Sequence, residues 1–294
     1  MKKFLVRLAI FAVILVTVDF IGGWVFSILR IKAIGGSTAR DYYITNTMEA
    51  DVLIMGSSRA IHHYDPRIIE DSLGLACYNC GRDGMGILYN YGLFKIITQR
   101  YTPKMIIYDL NTGFDLNAEG DNLKYLSDLK LYYDNKSVRD MFDAVDETEK
   151  FKMSSQLYRL CGKWLIILSD CVKPQYSDIK GYRPSEGVMN YETDDVIEST
   201  FLLDLLKLSY MQRLIDECKS RGIELVFVIS PLYKGVDAPS HSIVKELAQE
   251  NGLLFIDYYA KSEYSRNRDY FCDTYHMNAT GTELYTKELV SIIK

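Results

Sequence analysis

The sequence predicts an α/β fold around a central parallel sheet, and three observations carry that prediction. The run Asp51-Val52-Leu53-Ile54-Met55-Gly56 is apolar almost throughout and ends in Gly, the pattern of a strand covered on both faces. Strand-like and helix-like segments alternate after it, as they do when helices cover both faces of a parallel sheet. The chain has 294 residues with ordinary apolar and charged fractions, enough to bury one sizeable domain plus extra segments.

The elements follow in order. Residues 66–73 read as a short helix, and residues 75–78 as a second strand that runs into the Gly-rich turn Gly81-Arg82-Asp83-Gly84. Residues 87–100 read as a helix, and Pro103-Lys104 leads into a third strand at 105–108. The alternation then lapses. From about 114 to 200 the chain is rich in Tyr, Asp and Lys, holds no convincing parallel strand, and contains the loop Gly181-Tyr182-Arg183-Pro184. This insertion reads either as a lid or acceptor platform or as a purely structural cap. The pattern resumes with a helix at 202–221, Gly222 as its cap, and a strand at 223–229. A helix at 241–250 stops at Asn251-Gly252, a strand follows at 253–256, and a last helix runs over 279–293.

The N-terminus is of another kind. Lys2, Lys3 and Arg7 precede an apolar run from Leu8 to Leu29, about long enough to cross a bilayer as a helix. Its single charge, Asp19, costs a few kcal/mol near mid-membrane unless a partner answers it. No small-residue cleavage site stands out: Ile21-Gly22-Gly23-Trp24 and Ser27-Ile28 match poorly, which favours an uncleaved anchor over a signal peptide. Residues 1–33 are therefore read as a membrane anchor, 34–50 as a stalk around Gly35-Gly36-Ser37-Thr38, and 51–294 as the folded domain. Lys2, Lys3 and Arg7 outnumber Arg30 and Lys32, so a single pass with a cytoplasmic N-terminus and an external domain is expected.

Charge and cysteine usage narrow the function classes. The net charge is −5, with no basic run beyond the N-terminus, and nucleic-acid binding needs a concentrated Lys/Arg face. There are 23 tyrosines; they suit strands and half-buried helices as well as pockets for sugars and other amphipathic ligands. The six cysteines are irregularly spaced, and Cys77-Tyr78-Asn79-Cys80 is a C-x-x-C at a strand end rather than at a helix start. With no second ligand pair at matching spacing, zinc is not expected, and half-buried core thiols are the reading.

Two segments carry chemistry. Gly56-Ser57-Ser58-Arg59 follows the first strand directly, where Gly allows a sharp turn and a Ser just beyond offers its hydroxyl at the sheet's edge. Taken alone it could equally be a phosphate-cradling turn or a helix N-cap. The G-x-S-x-G elbow is not matched, because Ala60 stands where the last Gly belongs. Asp273-Thr274-Tyr275-His276 lies just before the final helix, and an Asp three residues before a His can accept from Nδ1–H and leave Nε2 as a base. His62, His63 and His241 have no comparable Asp before them.

Together these segments resemble the SGNH/GDSL hydrolase family. The resemblance covers about residues 51–112 and 223–294. It implies a three-layer α/β/α, flavodoxin-like fold. Ser57 stands in place of the family's Asp in its Gly-Asp-Ser block, so Ser58 aligns with the nucleophile. The Gly-Ser-Ser variant is similar to that of membrane-anchored relatives in cell-envelope acylation. The second block, with an Asn five residues before an oxyanion Gly, fits Asn79 and Gly84. The third block departs from the family: Asp109-Leu110-Asn111-Thr112-Gly113 replaces Gly-x-Asn-Asp, with Asn111 the best candidate. The resemblance implies acyl transfer through an acyl-serine, with Ser58, His276 and Asp273 as the triad and an oxyanion hole from Ser58, Gly84 and Asn111. It implies no metal or organic cofactor. An acylated envelope or extracellular glycan, with O-acetyl the first choice, is the expected substrate. An acyltransferase of the same mechanism and an inactive envelope scaffold are the alternatives.

Overall fold

The computed structural model of the chain describes every residue except Glu119 and Ser199. The chain clusters into two compact units, Met48–Tyr125 with Asp178–Lys294, and Met1–Thr47 with Leu126–Ser177.

The first of these units holds the sheet. Among the described residues, five strands form it: β1 (Val52–Gly56), β2 (Cys77–Asn79), β3 (Met105–Asp109), β4 (Glu224–Ile229) and β5 (Leu254–Asp257). All pairings are parallel and the order is β2-β1-β3-β4-β5, the doubly wound order expected. The chain passes from β1 outward to β2, then returns to the other side of β1 for β3. That reversal opens a crevice at the carboxyl ends of β1 and β3, whose last residues, Gly56 and Asp109, pair in register.

Side chains alternate across the sheet. Val52, Ile54, Ile107, Val226 and Val228 join one core with Tyr64, Ile69, Tyr285 and Leu289. These last four lie on or beside α3 (Ser58–His63), α4 (Pro66–Leu73) and α15 (Ala279–Ile293). Residues of the opposite parity include Tyr108 and Phe227, whose rings meet edge to face, while Asn90 of α5 (Ile87–Ile97) donates to Tyr108 Oη. α5 packs against α12 (Leu205–Arg221), where Glu217 accepts from Tyr91 and Lys95. α13 (Pro239–Asn251) packs on β5. Two short helices, α6 (Thr112–Asp115) and α7 (Leu123–Leu126), follow β3, and α14 (Ser262–Ser265) follows β5.

The helix ends follow from local chemistry. Asp65 caps α4 ahead of Pro66, Asp204 caps α12 and Asn278 caps α15, each side chain accepting from backbone N–H groups one turn in. Gly222 and Gly252 close α12 and α13 in the left-handed conformation, at φ +68 and +67.

The other unit is helical. α1 (Lys2–Lys32) is followed by α2 (Gly36–Asn46), and later by α8 (Lys136–Val145), α9 (Glu149–Lys152), α10 (Gln156–Arg159) and α11 (Trp164–Val172). Residues 34–50 thus contain a helix where a stalk was expected. Gly36 has φ +68, and a Cβ on it would lie 2.1 Å from Asp170 Oδ1, so here the glycine permits close approach rather than flexibility. Asp170 then receives the N–H of Thr38 at 2.9 Å and ties α2 to α11. Residues 126–177 of the expected insertion cluster with this unit, and residues 114–125 and 178–200 with the sheet.

Candidate active site

β1 delivers the first component. Gly56 ends the strand at φ +141, and a Cβ there would come within 2.5 Å of the Asp109 carbonyl oxygen. Only glycine fits this close approach to β3. Ser57 follows as N-cap, buried, with its Oγ in no hydrogen bond. Ser58 is the first residue of α3, where backbone N–H groups have no acceptor within the helix.

The loop before α15 delivers the second. His276 Nε2 lies 2.9 Å from Ser58 Oγ. His276 Nδ1 lies 3.0 and 2.9 Å from Asp273 Oδ1 and Oδ2. A carboxylate can only accept, so Nδ1 carries the proton and Nε2 faces the Ser58 hydroxyl as an acceptor. Asp273 Oδ1 also accepts the N–H groups of Tyr275 at 2.7 Å and His276 at 2.8 Å, which folds the four residues into one turn. Partial burial alone would raise the Asp273 pKa. The hydrogen bond from His276, its charge and the two N–H groups outweigh that and hold the carboxylate below its ordinary value.

Supporting groups fix these two segments, and sequence reasoning missed them. His63 Nε2 accepts the Met277 N–H at 2.9 Å, so its Nδ1 donates to Ser230 Oγ at 3.0 Å. This pins the residue after His276 to α3. Burial pushes the His63 pKa well below the usual histidine value, and burial also lowers that of His62, whose ring stands edge-on 5.1 Å from His276. Two neutral imidazoles therefore flank His276 and do not oppose a positive charge forming on it. Arg59 reaches under the strand ends, donating to Leu110 O at 2.5 Å and Ser230 O at 3.4 Å. The buried Asp109 accepts from Tyr64 Oη at 2.8 Å and Ser230 N at 3.0 Å; burial raises its pKa, against the pull of Arg59. The only sequence sign of this network is an acidic residue closing an otherwise apolar third strand.

A pocket of about 620 Å³ opens beside Ser58 and His276. Asn111, Phe114, Glu198, Tyr259 and Tyr275 are in its wall. Asn111 follows β3 and precedes α6; its side chain caps nothing, and its backbone N–H donates to Asp115 at 2.7 Å. Asp115 also accepts from Tyr108 Oη at 2.8 Å, and complete burial raises its pKa to about 7. His241, also in the pocket wall, has no Asp three residues before it but gains one in space: its Nδ1 lies 3.0 Å from Asp257 at the end of β5.

The sheet thus brings Ser58, His276, Asp273 and Asn111 to one place. Gly84 stands apart. It lies in an exposed turn at φ +67 and is not in the pocket wall, although Gly81 of the same turn packs against Ala60 and Ile61 of α3. Cys77 and Cys80 are buried, and burial pushes the Cys77 thiol well above its usual pKa. Among the described residues, no group of three or more His, Cys, Asp and Glu is placed to hold a metal ion.

No family model and no curated protein matches the chain by sequence. Some solved structures are similar to the chain at low identity. One is a Bacteroides fragilis protein described as an acylhydrolase, 12% identical, with a TM-score of 0.44, covering 87% of this chain and 94% of its own. Another, from Desulfitobacterium hafniense, is described as a lipolytic protein of the G-D-S-L family, at 11%, TM-score 0.39, and coverage of 82% and 98%. A third is an acetyl xylan esterase, at 12%, TM-score 0.41, and coverage of 83% and 100%.

Proposed function

We propose that this chain is a serine ester hydrolase of the SGNH type, and more particularly a membrane-anchored esterase that removes O-acetyl groups from envelope or extracellular glycans. The observation that carries the reading is the relay Ser58 Oγ to His276 Nε2 at 2.9 Å and His276 Nδ1 to Asp273 at 2.9 Å, at the carboxyl end of β1 and beside a pocket. In this reading Ser58 Oγ attacks the ester carbonyl while His276 Nε2 takes its proton. The same Nε2–H then protonates the departing glycan oxygen. Water, deprotonated by His276, attacks the acyl-serine; the acyl–Oγ bond breaks as His276 returns that proton to Ser58 Oγ, and acetate leaves. Asp273 holds the imidazole in the needed tautomer and stabilises its charged form.

The tetrahedral oxyanion would take the Ser58 N–H and the Asn111 amide, each such donor being worth about 10²–10³ in rate. Gly84, which the resemblance implies as third donor, is outside the pocket wall and is assigned no part in this reading. Aromatic faces at Phe114, Tyr259 and Tyr275 beside the Glu198 carboxylate suit a sugar ring, which needs apolar stacking and hydroxyl acceptors together. The anchor reading rests on α1, 31 residues long with mean hydropathy 2.5 over its most apolar stretch. The excess of Lys2, Lys3 and Arg7 over Arg30 and Lys32 favours a cytoplasmic N-terminus, and the domain would then lie outside, where such glycans are.

The test is direct. The purified full-length protein should release acetate from a chromogenic acetyl ester and from an acetylated glycan, and a serine-directed phosphonate should modify Ser58. Transfer of the acyl group to an added hydroxyl acceptor, with no acetate released, would make it an acyltransferase. Inertness to ester and phosphonate alike would leave a scaffold.

A further inference from the structure

We propose that α10 and α11 are embedded in the bilayer beside α1, in the leaflet at its C-terminal end, so that the protein holds the membrane by a small helical cluster rather than by one helix. This rests on the anchor reading. The run from Leu8 to Leu29 is about 33 Å long at 1.5 Å per residue, close to a hydrocarbon core of about 30 Å. Asp19 therefore stands near mid-depth, and its second half, residues 19–29, lies in one leaflet.

That half is where the insertion packs. Asp19 accepts from Ser155 Oγ at 2.5 Å and from the N–H groups of Gln156 and Leu157, both at 2.9 Å. A carboxylate at such depth needs donors from the protein, and these come from the start of α10. Gly22 and Gly23 leave room for the contact: a Cβ on either would lie 2.6 Å from Leu157 or 2.4 Å from Gln156. Further along, Cys171 of α11 donates to the Leu29 carbonyl at 3.2 Å. With α10 near residue 19 and the end of α11 near residue 29, Trp164, which opens α11, is on the side of the bilayer centre.

The open face of α11 suits lipid. Trp164, Leu165, Leu168 and Val172 recur at one, four and eight residues from the first, so they share a stripe about 100° wide. They remain exposed, Leu165 at 62% and Val172 at 81%, whereas Ile167 and Asp170 on the other side are buried against the protein. A water-facing helix would not carry this stripe beside a membrane-crossing segment, and α11 at nine residues is about 13 Å long, roughly one leaflet's depth.

The chain has two tryptophans, Trp24 in α1 and Trp164 in α11, so each can be isolated by one ring exchange. Full-length Trp24→Phe and Trp164→Phe proteins are reconstituted in phosphatidylcholine vesicles with acyl chains brominated at shallow or deep positions, and tryptophan emission is recorded. The expected result is a loss of Trp164 emission in the Trp24→Phe protein comparable with the loss of Trp24 emission in the Trp164→Phe protein. Quenching of Trp24 with undiminished Trp164 emission overturns the embedding and leaves the anchor standing. Quenching of neither overturns both.

Discussion

Ser58 and its neighbour Ser57 differ in what surrounds them, and the contrast sets the sharpest expectation at the scale of single residues. Ser58 Oγ meets His276, whereas the buried Ser57 Oγ meets nothing. Ser58→Ala and His276→Ala should each lower kcat by about 10⁶ and Asp273→Ala by about 10⁴, with little further loss on combination, because such residues act as a unit. Ser57→Ala should keep most activity and fold at least as stably, since it removes an unsatisfied hydroxyl. Steady-state kinetics on the chromogenic ester check the series; a dead Ser57→Ala beside an active Ser58→Ala would move the nucleophile by one residue. Asn111→Ala should cost about 10²–10³ in kcat with a smaller change in KM, because the amide acts on charge present only in the transition state.

Asp115 makes a separate prediction about pH. Its folded pKa of about 7 stands above the ordinary aspartate value, so the native state binds this proton more tightly than the unfolded chain. The corresponding stability is fully present at low pH and is lost as pH rises through the interval from about 4 to 7, by up to about 4 kcal/mol at 1.36 kcal/mol per pH unit. Asn at this position can still accept from Asn111 N–H and donate to Tyr108 Oη. Asp115→Asn should therefore gain on the wild type as pH rises from 4 to 7, in urea titrations at fixed temperature. A constant difference across that range would show that Asp115 titrates normally.

At the scale of elements, the site depends on strand ends and caps brought within a few ångströms. β1 and β3 approach so closely at Gly56 that the Asp109 carbonyl occupies the place of a side chain. Gly56→Ala should cost about 1–3 kcal/mol through its positive φ and this clash, and should lower kcat as well, because the strain falls two residues before Ser58. Urea unfolding and kinetics on the same protein check both; unchanged values in both would remove the close approach. The His276 turn is likewise held from α3 through His63, which explains how a loop more than two hundred residues away in sequence meets the Ser58 hydroxyl with short, aligned contacts.

At the scale of the whole molecule, the expectation is one uncleaved membrane span with the N-terminus in the cytoplasm. Protease added outside intact cells, after permeabilising any outer membrane, should degrade the domain, and the mature protein should retain Lys2 and Lys3. Complete protection, or a mature N-terminus beyond residue 25, would refute the topology. The embedded helices add a further consequence: extraction should need detergent that replaces lipid around both α1 and α11.

Periodicity and spacing in the sequence determined the parallel sheet, its five strands to within two or three residues, the last helix, and the Asp273–His276 pair, whereas the place of Ser58 beside them was implied by the resemblance to SGNH/GDSL hydrolases. These are local signals: an apolar run closed by Gly, a cap, an Asp three residues before a His. The helix at 36–46 was read as a stalk because Gly35-Gly36 looks flexible in isolation, and only Asp170, distant in sequence, shows what the small residue accommodates. His63 and Arg59 gave no local sign of their roles, and Asp109 only that of an acidic residue closing an apolar strand, since each is defined by partners on other elements. The same holds for His241, which acquires Asp257 from β5, and for Asp19, which acquires the start of α10. Tertiary structure decided these because desolvation, shared hydrogen bonds and close approach exist only between segments that folding brings together, and no spacing along the chain encodes them.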